Sequence, residues 1–268
     1  MTEANILPER EFGWKYNLPS LAEQNDTLRN SYQITTPNHN RIYIEVPRTS
    51  IKIRGIATLG ATVCLLLLLL GLLPILLQSL ELGWDFSLQS TLGGIAVVLL
   101  LFLSLFPFVR MDIEMPKNEP IRFNRARRKV YFYQYRFNLI NMFNSTLWGV
   151  KPIVYNWEDL TAEAYSVYAP MGYGGLIERI MIAVREPGSG QIIDRLYFCH
   201  GLKEGKERWT AIQLFMEHRN DVLLEFRPPH NSDFHEHYNV MTRFAPKVQW
   251  PTEMEIESRT APNSAEKS

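Results

Sequence analysis

Two long apolar runs, 56–80 and 91–109, interrupt a chain whose hydrophobic and polar positions are otherwise mixed. The first carries no charged residue and contains six consecutive leucines at 65–70. About 25 residues rising 1.5 Å each suffice to cross a hydrocarbon core roughly 30 Å thick. A lone lipid-exposed segment satisfies its backbone N–H and C=O groups only as a helix, so the pattern predicts a two-helix transmembrane hairpin. A soluble hairpin would need a polar face, and neither run offers one. The stretch 78–90, with Trp84 and Phe86 suited to a membrane interface, reads as the connector. Gly71 and Pro74 are tolerated as bends.

Outside the hairpin the pattern changes period. Ile42, Ile44 and Val46 alternate with Arg41, Tyr43 and Glu45, which predicts a strand over 41–46 that is able to join a later sheet. The rest of 1–50 is polar and proline-punctuated and reads as loosely structured, with Phe12, Trp14 and Tyr16 as a small aromatic group. After a proline-containing linker, 120–123 and 129–136 predict a β-hairpin with Val130 and Phe132 on one face and Tyr131, Tyr133 and Tyr135 on the other. Strands over 151–155 and 161–168 flank Asn156-Trp157-Glu158-Asp159. Strands over 177–185 and 191–199 flank Pro187-Gly188-Ser189-Gly190. Trp209, Ile212, Phe215 and Met216 share one face of a helix predicted over 203–220. The remainder, 228–268, is polar and reads as a flexible tail. The fold class that follows is a membrane protein of α+β type, in which a transmembrane hairpin precedes an antiparallel β-rich domain (117–227) closed by one amphipathic helix.

Charge placement orients the hairpin. Arg41, Arg48, Lys52 and Arg54 precede it, Arg110, Lys117, Arg122 and Arg125 follow it, and the connector holds only Glu81 and Asp85. By the positive-inside rule both termini are cytoplasmic. Thr58, Thr62, Cys64 and Ser104 are the polar groups deep in the runs, and no intramembrane charge marks an ion pathway. The chain as a whole has 28 basic and 28 acidic residues, so no global field points to nucleic acid. Locally, Arg122, Arg125, Arg127, Arg128, Lys129 and Arg136 form a tract without an acidic residue. Two cysteines, Cys64 and Cys199, permit no disulfide framework in the exposed domain. The first apolar run is expected to act as an uncleaved insertion signal.

A strand-rich domain closed by one helix resembles a pleckstrin-homology-like barrel. Two spans followed by Pro120-Ile121-Arg122-Phe123-Asn124-Arg125-Ala126-Arg127-Arg128-Lys129-Val130-Tyr131, then Trp157-Glu158-Asp159-Leu160 and Trp209, are similar to a family of uncharacterised two-span bacterial inner-membrane proteins. Its members are commonly encoded beside type VI secretion effectors. The resemblance covers about 42–220 and implies an immunity or accessory role, with an effector as the protein partner and the bacterial inner membrane as the location.

Candidate chemistry is sparse. Gly172, Gly174 and Gly175 do not follow a strand and open a helix as a phosphate-cradling loop must. His230, His235 and His237, with Asp233 and Glu236 nearby, match no standard zinc spacing. No nucleophile, metal or paired-carboxylate motif stands out, so neither an enzyme nor a cofactor is expected. Three classes of function are weighed: an anchored immunity protein that binds an effector, a lipid-binding or scaffold module, and a membrane-associated enzyme. The first two share one candidate surface, formed by Arg122, Arg125, Arg127, Arg128, Lys129, Tyr131 and Tyr133. Basic side chains attract anionic headgroups, and Arg and Tyr are enriched at protein hot spots.

Overall fold

A computed structural model of the chain describes residues 6–24, 28–48, 55–82, 84–138, 144, 146–169, 175–218, 223–228 and 245–262. The alternating strand before the apolar runs and the hairpin after them build one sheet. Its order is β3 (Asn38–His39), β4 (Tyr43–Val46), β5 (Ile121–Asn124), β6 (Lys129–Arg136) and β7 (Gly149–Asn156), antiparallel throughout. Val46 pairs with Ile121 and Tyr43 with Asn124. Everything between β4 and β5 is therefore an insertion between two hydrogen-bonded strands, and must leave and return at one edge of the domain.

A second antiparallel sheet has the order β1 (Trp14–Asn17), β8 (Leu160–Ala169), β9 (Gly175–Arg185) and β10 (Ile192–His200). β7 pairs with β6 whereas β8 pairs with β9, so the Trp157–Asp159 turn is the corner at which the chain passes from one sheet to the other. β2 (Ser31–Thr35) and β11 (Leu223–Arg227) form a separate parallel pair. The closing helix predicted over 203–220 is α4 (Leu202–Met216); residues 219 and 220 lie outside the described residues. Trp209, Ile212, Phe215 and Met216 are all buried, as their spacing requires. They meet Phe123, Val130 and Phe132 from one sheet and Ala162, Ile180, Ile182 and Phe198 from the other in a single core.

Gly205 sets how closely α4 lies on the second sheet. A Cβ at this position would stand 2.4 Å from Ile180 Cγ1 and 2.8 Å from Cys199 Sγ. In an open helix Gly→Ala gains about 1 kcal/mol. Here Gly205→Ala is expected to destabilise instead, since overpacking costs about 1–3 kcal/mol and the 2.4 Å contact puts this site at the upper end. A urea midpoint at or above wild type would show that the helix can lift without penalty.

The structure orders more of the N-terminal region than its composition suggests. β1 extends the second sheet, and α1 (Leu21–Gln24) touches α4. The leading residues are clamped by Arg195, whose guanidinium is nearly inaccessible and pairs with Glu163 at 2.9 Å and Glu11 at 3.2 Å, while donating to the carbonyls of Pro8 and Glu9. Of the aromatic group, Tyr16 packs on the core whereas Phe12 is exposed. Local pattern was weak here because the contacts that hold these segments on the domain, the β1–β8 pairing and the Arg195 clamp, are long-range.

Two helices fill the insertion, α2 (Ile56–Leu82) and α3 (Trp84–Glu114), about 40 and 46 Å long at 1.5 Å per residue. The described residues of the 78–90 stretch expected as a connector are helical; Gly83 lies outside the described residues. The helices pack on each other, and near the open end the Asp112 carboxylate accepts from Thr58 N at 3.0 Å and Thr58 Oγ1 at 3.1 Å. From the end of α3 it caps the start of α2, the helix end at which the macrodipole favours an anion. Pro74 and Pro107 sit inside the two helices. Leu59, Leu66, Leu70, Leu73, Ile95, Leu100 and Phe102 are among the many large apolar side chains that the helices leave exposed. By length and composition only Leu92–Glu114 is sufficient to cross a membrane among the described residues; the apolar run of α2 there is Ile56–Gly71.

Two basic residues of the expected juxtamembrane set, Arg48 and Arg122, are buried rather than at a surface. Arg48 is 2% exposed and donates to the carbonyls of Glu119 (3.0 Å), Tyr197 (2.6 Å) and Tyr133 (3.2 Å) and to Gln134 Oε1 (3.0 Å). It ties both sheets to the point where the insertion begins, and desolvation lowers its pKa against the opposing field of Glu119.

Candidate binding face on the basic hairpin

The β5–β6 turn is shaped by Asn124 and Arg128. Asn124 Oδ1 accepts from Arg127 N at 3.0 Å, closing a side-chain-mediated turn, and Arg128 takes the left-handed conformation at φ 53°. The basic tract then fans out in three directions. Arg128 turns inward along the closing helix, donating to Met216 O at the end of α4 (3.0 Å) and pairing with Glu158 at 2.6 Å and Glu217 at 3.0 Å. A cation there meets the negative end of the helix dipole. Burial opposes the charged form of Glu217, but hydrogen bonds from Arg128 and from the Trp157 indole outweigh it and hold the carboxyl below its ordinary range. Arg125 lies 4.8 Å over the Phe215 ring and donates to Arg41 O. Its pKa is lowered by burial and then by the like charge of Arg41.

Arg122, Arg127 and Lys129 face the other way, onto an element that the sequence pattern left as tail. Residues Thr252–Arg259 form a helix, α5, lying against β5 and β6. Arg122 is 3% exposed and sits between two carboxylates, Glu45 of β4 and Glu255 of α5, with Ser258 Oγ at 2.9 Å and the Trp250 ring 4.7 Å from its guanidinium carbon. Lys129 pairs with Glu257 at 2.7 Å. The Asn124 amide donates to the carbonyls of Glu257, Ser258 and Thr260, and Arg127 donates to those of Thr260 and Ala261. The last carbonyls of α5, which a helix leaves without internal partners, thus end on the basic turn. Tyr131 and Tyr133 are buried under this segment; Tyr133 stacks edge-on against Trp250 at 5.1 Å and accepts from Gln249 N at 3.2 Å.

Of the seven candidate residues, then, Arg125, Arg127, Arg128 and Lys129 keep partial exposure while Arg122, Tyr131 and Tyr133 are covered. The tract is divided between two sides of the hairpin, and α5 occupies the side that carries Arg122, Arg127 and Lys129. The acidic partners Glu45, Glu255 and Glu257 and the aromatic Trp250 were not anticipated. A helix signal was present in Pro251 followed by Glu253 and Glu255, with Arg259 in the last turn.

The attachment of α5 is polar. Ser258 is its one buried residue, and Ile256 is 61% exposed. A hydrogen bond from Lys129, working against burial and helped by the Tyr131 hydroxyl, holds the Glu257 carboxyl below its ordinary 4.5. Since the folded value is the lower one, this contribution is complete above 4.5 and is lost as pH falls through the lowered value. Amide exchange in Thr252–Arg259 is accordingly expected to accelerate on acidification while that of α4 stays slow. Equal acceleration in both helices would mean global unfolding rather than release of α5.

No group of three or more metal-ligating side chains is assembled among the described residues. The histidines at 230, 235 and 237 and the glycines at 172 and 174 lie outside them; Gly175 opens β9. Residues 97–262 match the model of a family described as of unknown function, DUF6708. No curated protein and no solved structure matches the chain.

Proposed function

We propose that this chain, which belongs to the DUF6708 family, is a membrane-anchored binding protein whose β-domain captures an acidic segment of a protein partner on the face now filled by α5. The observation that carries the reading is the complementarity of that face to an acidic helix: Arg122, Asn124, Arg127 and Lys129 together take two carboxylates and a helix C-terminus. Its polar, shallow attachment makes α5 the kind of element that opens at low cost. The partner is a type VI secretion effector, the protein immunity-like, and the reaction binding rather than catalysis. This part rests on the resemblance carried by the β5–β6 motif and Trp157-Glu158-Asp159-Leu160. Lipid headgroups are less well matched to this face, since besides taking carboxylates at Arg122 and Lys129 it takes the end carbonyls of a helix at Asn124 and Arg127.

The anchor is the α2–α3 pair, set in the bacterial inner membrane with both termini in the cytoplasm. Hydrogen-bonded pairing of Val46 with Ile121 supports two crossings over one. A chain that crosses in α3 has to return through α2, because the two strands flanking the insertion are neighbours. Exposed apolar side chains along both helices favour lipid as their solvent.

Two measurements test the reading. A reporter active only in the periplasm should be silent after Ser268 and active when inserted at Gly83; the reverse would place the β-domain outside. Co-expression with the neighbouring toxin should protect a sensitive strain, and Arg127→Ala with Lys129→Ala should weaken that protection without loss from the membrane fraction. Arg128 is left intact because it caps α4. No protection by wild type removes the immunity reading.

A further inference from the structure

The far end of the β6–β7 hairpin carries apolar side chains next to the place where α3 joins the β-domain. Phe137 is 50% exposed and Leu147 38% exposed. Between them Trp148 anchors the hairpin end: its indole N–H donates to Asn138 O at 2.9 Å, and the Phe137 ring lies 6.1 Å away. Trp148 belongs to a small apolar cluster with Met115 and Tyr135, joined by Met111 and Val150, so β6, β7 and the last turns of α3 are packed together. The Arg110 guanidinium carbon stands 4.7 Å over the Trp148 ring. Arg110 is the first charged residue after the apolar run of α3, so Trp148 lies at the level where that helix leaves its apolar stretch. In sequence, no charged residue occurs from Phe137 to Val150, whereas Arg136 and Lys151 flank the stretch.

We propose that this hairpin end, through the exposed Phe137 and Leu147 that the buried Trp148 holds in place, is a second point of contact with lipid, seated in the headgroup zone beside α3. The inference rests on the membrane-anchored reading above. Exposed apolar side chains at the level where an apolar helix meets its first charged residue, on a stretch free of charge and flanked by Arg136 and Lys151, have the chemistry of a bilayer interface. The contact also orients the domain. β6 has eight residues, so the β5–β6 turn lies about 26 Å from this end at roughly 3.3 Å per residue. Seating the β6–β7 end in the interface therefore holds the basic face away from lipid and open to a protein in the cytoplasm.

The test uses the full chain in vesicles of phosphatidylethanolamine and phosphatidylglycerol. An environment-sensitive fluorophore is attached through Phe137→Cys or, separately, Leu147→Cys, with Cys64→Ser in each. The remaining thiol, Cys199, is buried and pushed up to about 12 by desolvation, so it does not compete for label. The control position is Ala126→Cys in the β5–β6 turn. At 137 and 147 a lipid carrying a shallow spin label should quench the probe several-fold more than aqueous iodide does, with the order reversed at 126. If the protein floats with the vesicles but both hairpin probes behave like the control, the second contact is refuted and the anchor stands. If the protein does not float, the anchored reading fails and this inference falls with it.

Discussion

Replacing Trp209 by Ala is expected to cost about 3–5 kcal/mol, the range for removing a large aromatic side chain from a packed core. The indole is 3% exposed and touches three layers at once. It lies 5.2 Å from Trp157 at the corner between the sheets and 5.9 Å, edge-on, from Phe198 of β10. Phe123 in turn meets Trp157 edge-on at 6.1 Å, so both sheets and the closing helix converge on one aromatic group. Rigid backbone on every side leaves the cavity little room to collapse, which places the effect toward the upper end. Urea unfolding of the full chain in detergent, followed by pulse proteolysis, measures the loss. Trp209→Phe should recover part of it, and Phe12→Ala, at an exposed ring, should change nothing. An unchanged midpoint for Trp209→Ala would mean that α4 closes the domain by some other contact.

The elements that were legible in the sequence are those whose pattern is set by one nearby face. α4 could be read because Trp209, Ile212, Phe215 and Met216 repeat at helical spacing, and β6 because Val130 and Phe132 alternate with the tyrosines. The β9–β10 hairpin was readable from Pro187-Gly188-Ser189-Gly190. Alternation could not say what covers the second face of β6. Tyr131, Tyr133 and Tyr135 suggested a surface, but they are buried because α5 and Trp250 lie over part of that face and the Met115–Trp148 cluster over the rest. α5 itself was obscured because it contributes almost no apolar area, and its polar contacts join residues more than 120 positions apart, such as Lys129 with Glu257. The N-terminal strands were hidden for the same reason: β1 gains its order from β8, and β2 from β11.

The second large effect is expected at Arg122, and it separates a structural role for α5 from an exchangeable one. Arg122→Ala would leave Glu45 and Glu255 facing each other without the cation between them, and breaking a buried pair in this way costs about 3–5 kcal/mol. Replacing the three charged groups together by Met at 122 and Gln at 45 and 255 should recover much of that loss, since the penalty falls on the buried Glu45 carboxylate left without its cation, whereas Glu255 keeps Arg259 at 2.7 Å. Deleting residues 249–268 is a different perturbation. It removes Glu255 and Glu257 but keeps the Arg122–Glu45 pair and lets water reach it, so the domain should stay folded and lose only the docking free energy of α5, about 2.7 kcal/mol for a docked-to-undocked ratio of about 100. Binding should then move in the opposite direction from stability. If α5 competes with a partner's acidic segment, the apparent Kd of the full chain is the intrinsic value divided by the fraction in which α5 is undocked, so its removal tightens binding by that same fraction. A docked-to-undocked ratio of about 100 would appear as a roughly hundredfold gain. Truncation that unfolds the domain would make α5 an ordinary part of the fold, and truncation that weakens binding would place α5 within the contact surface rather than in competition for it.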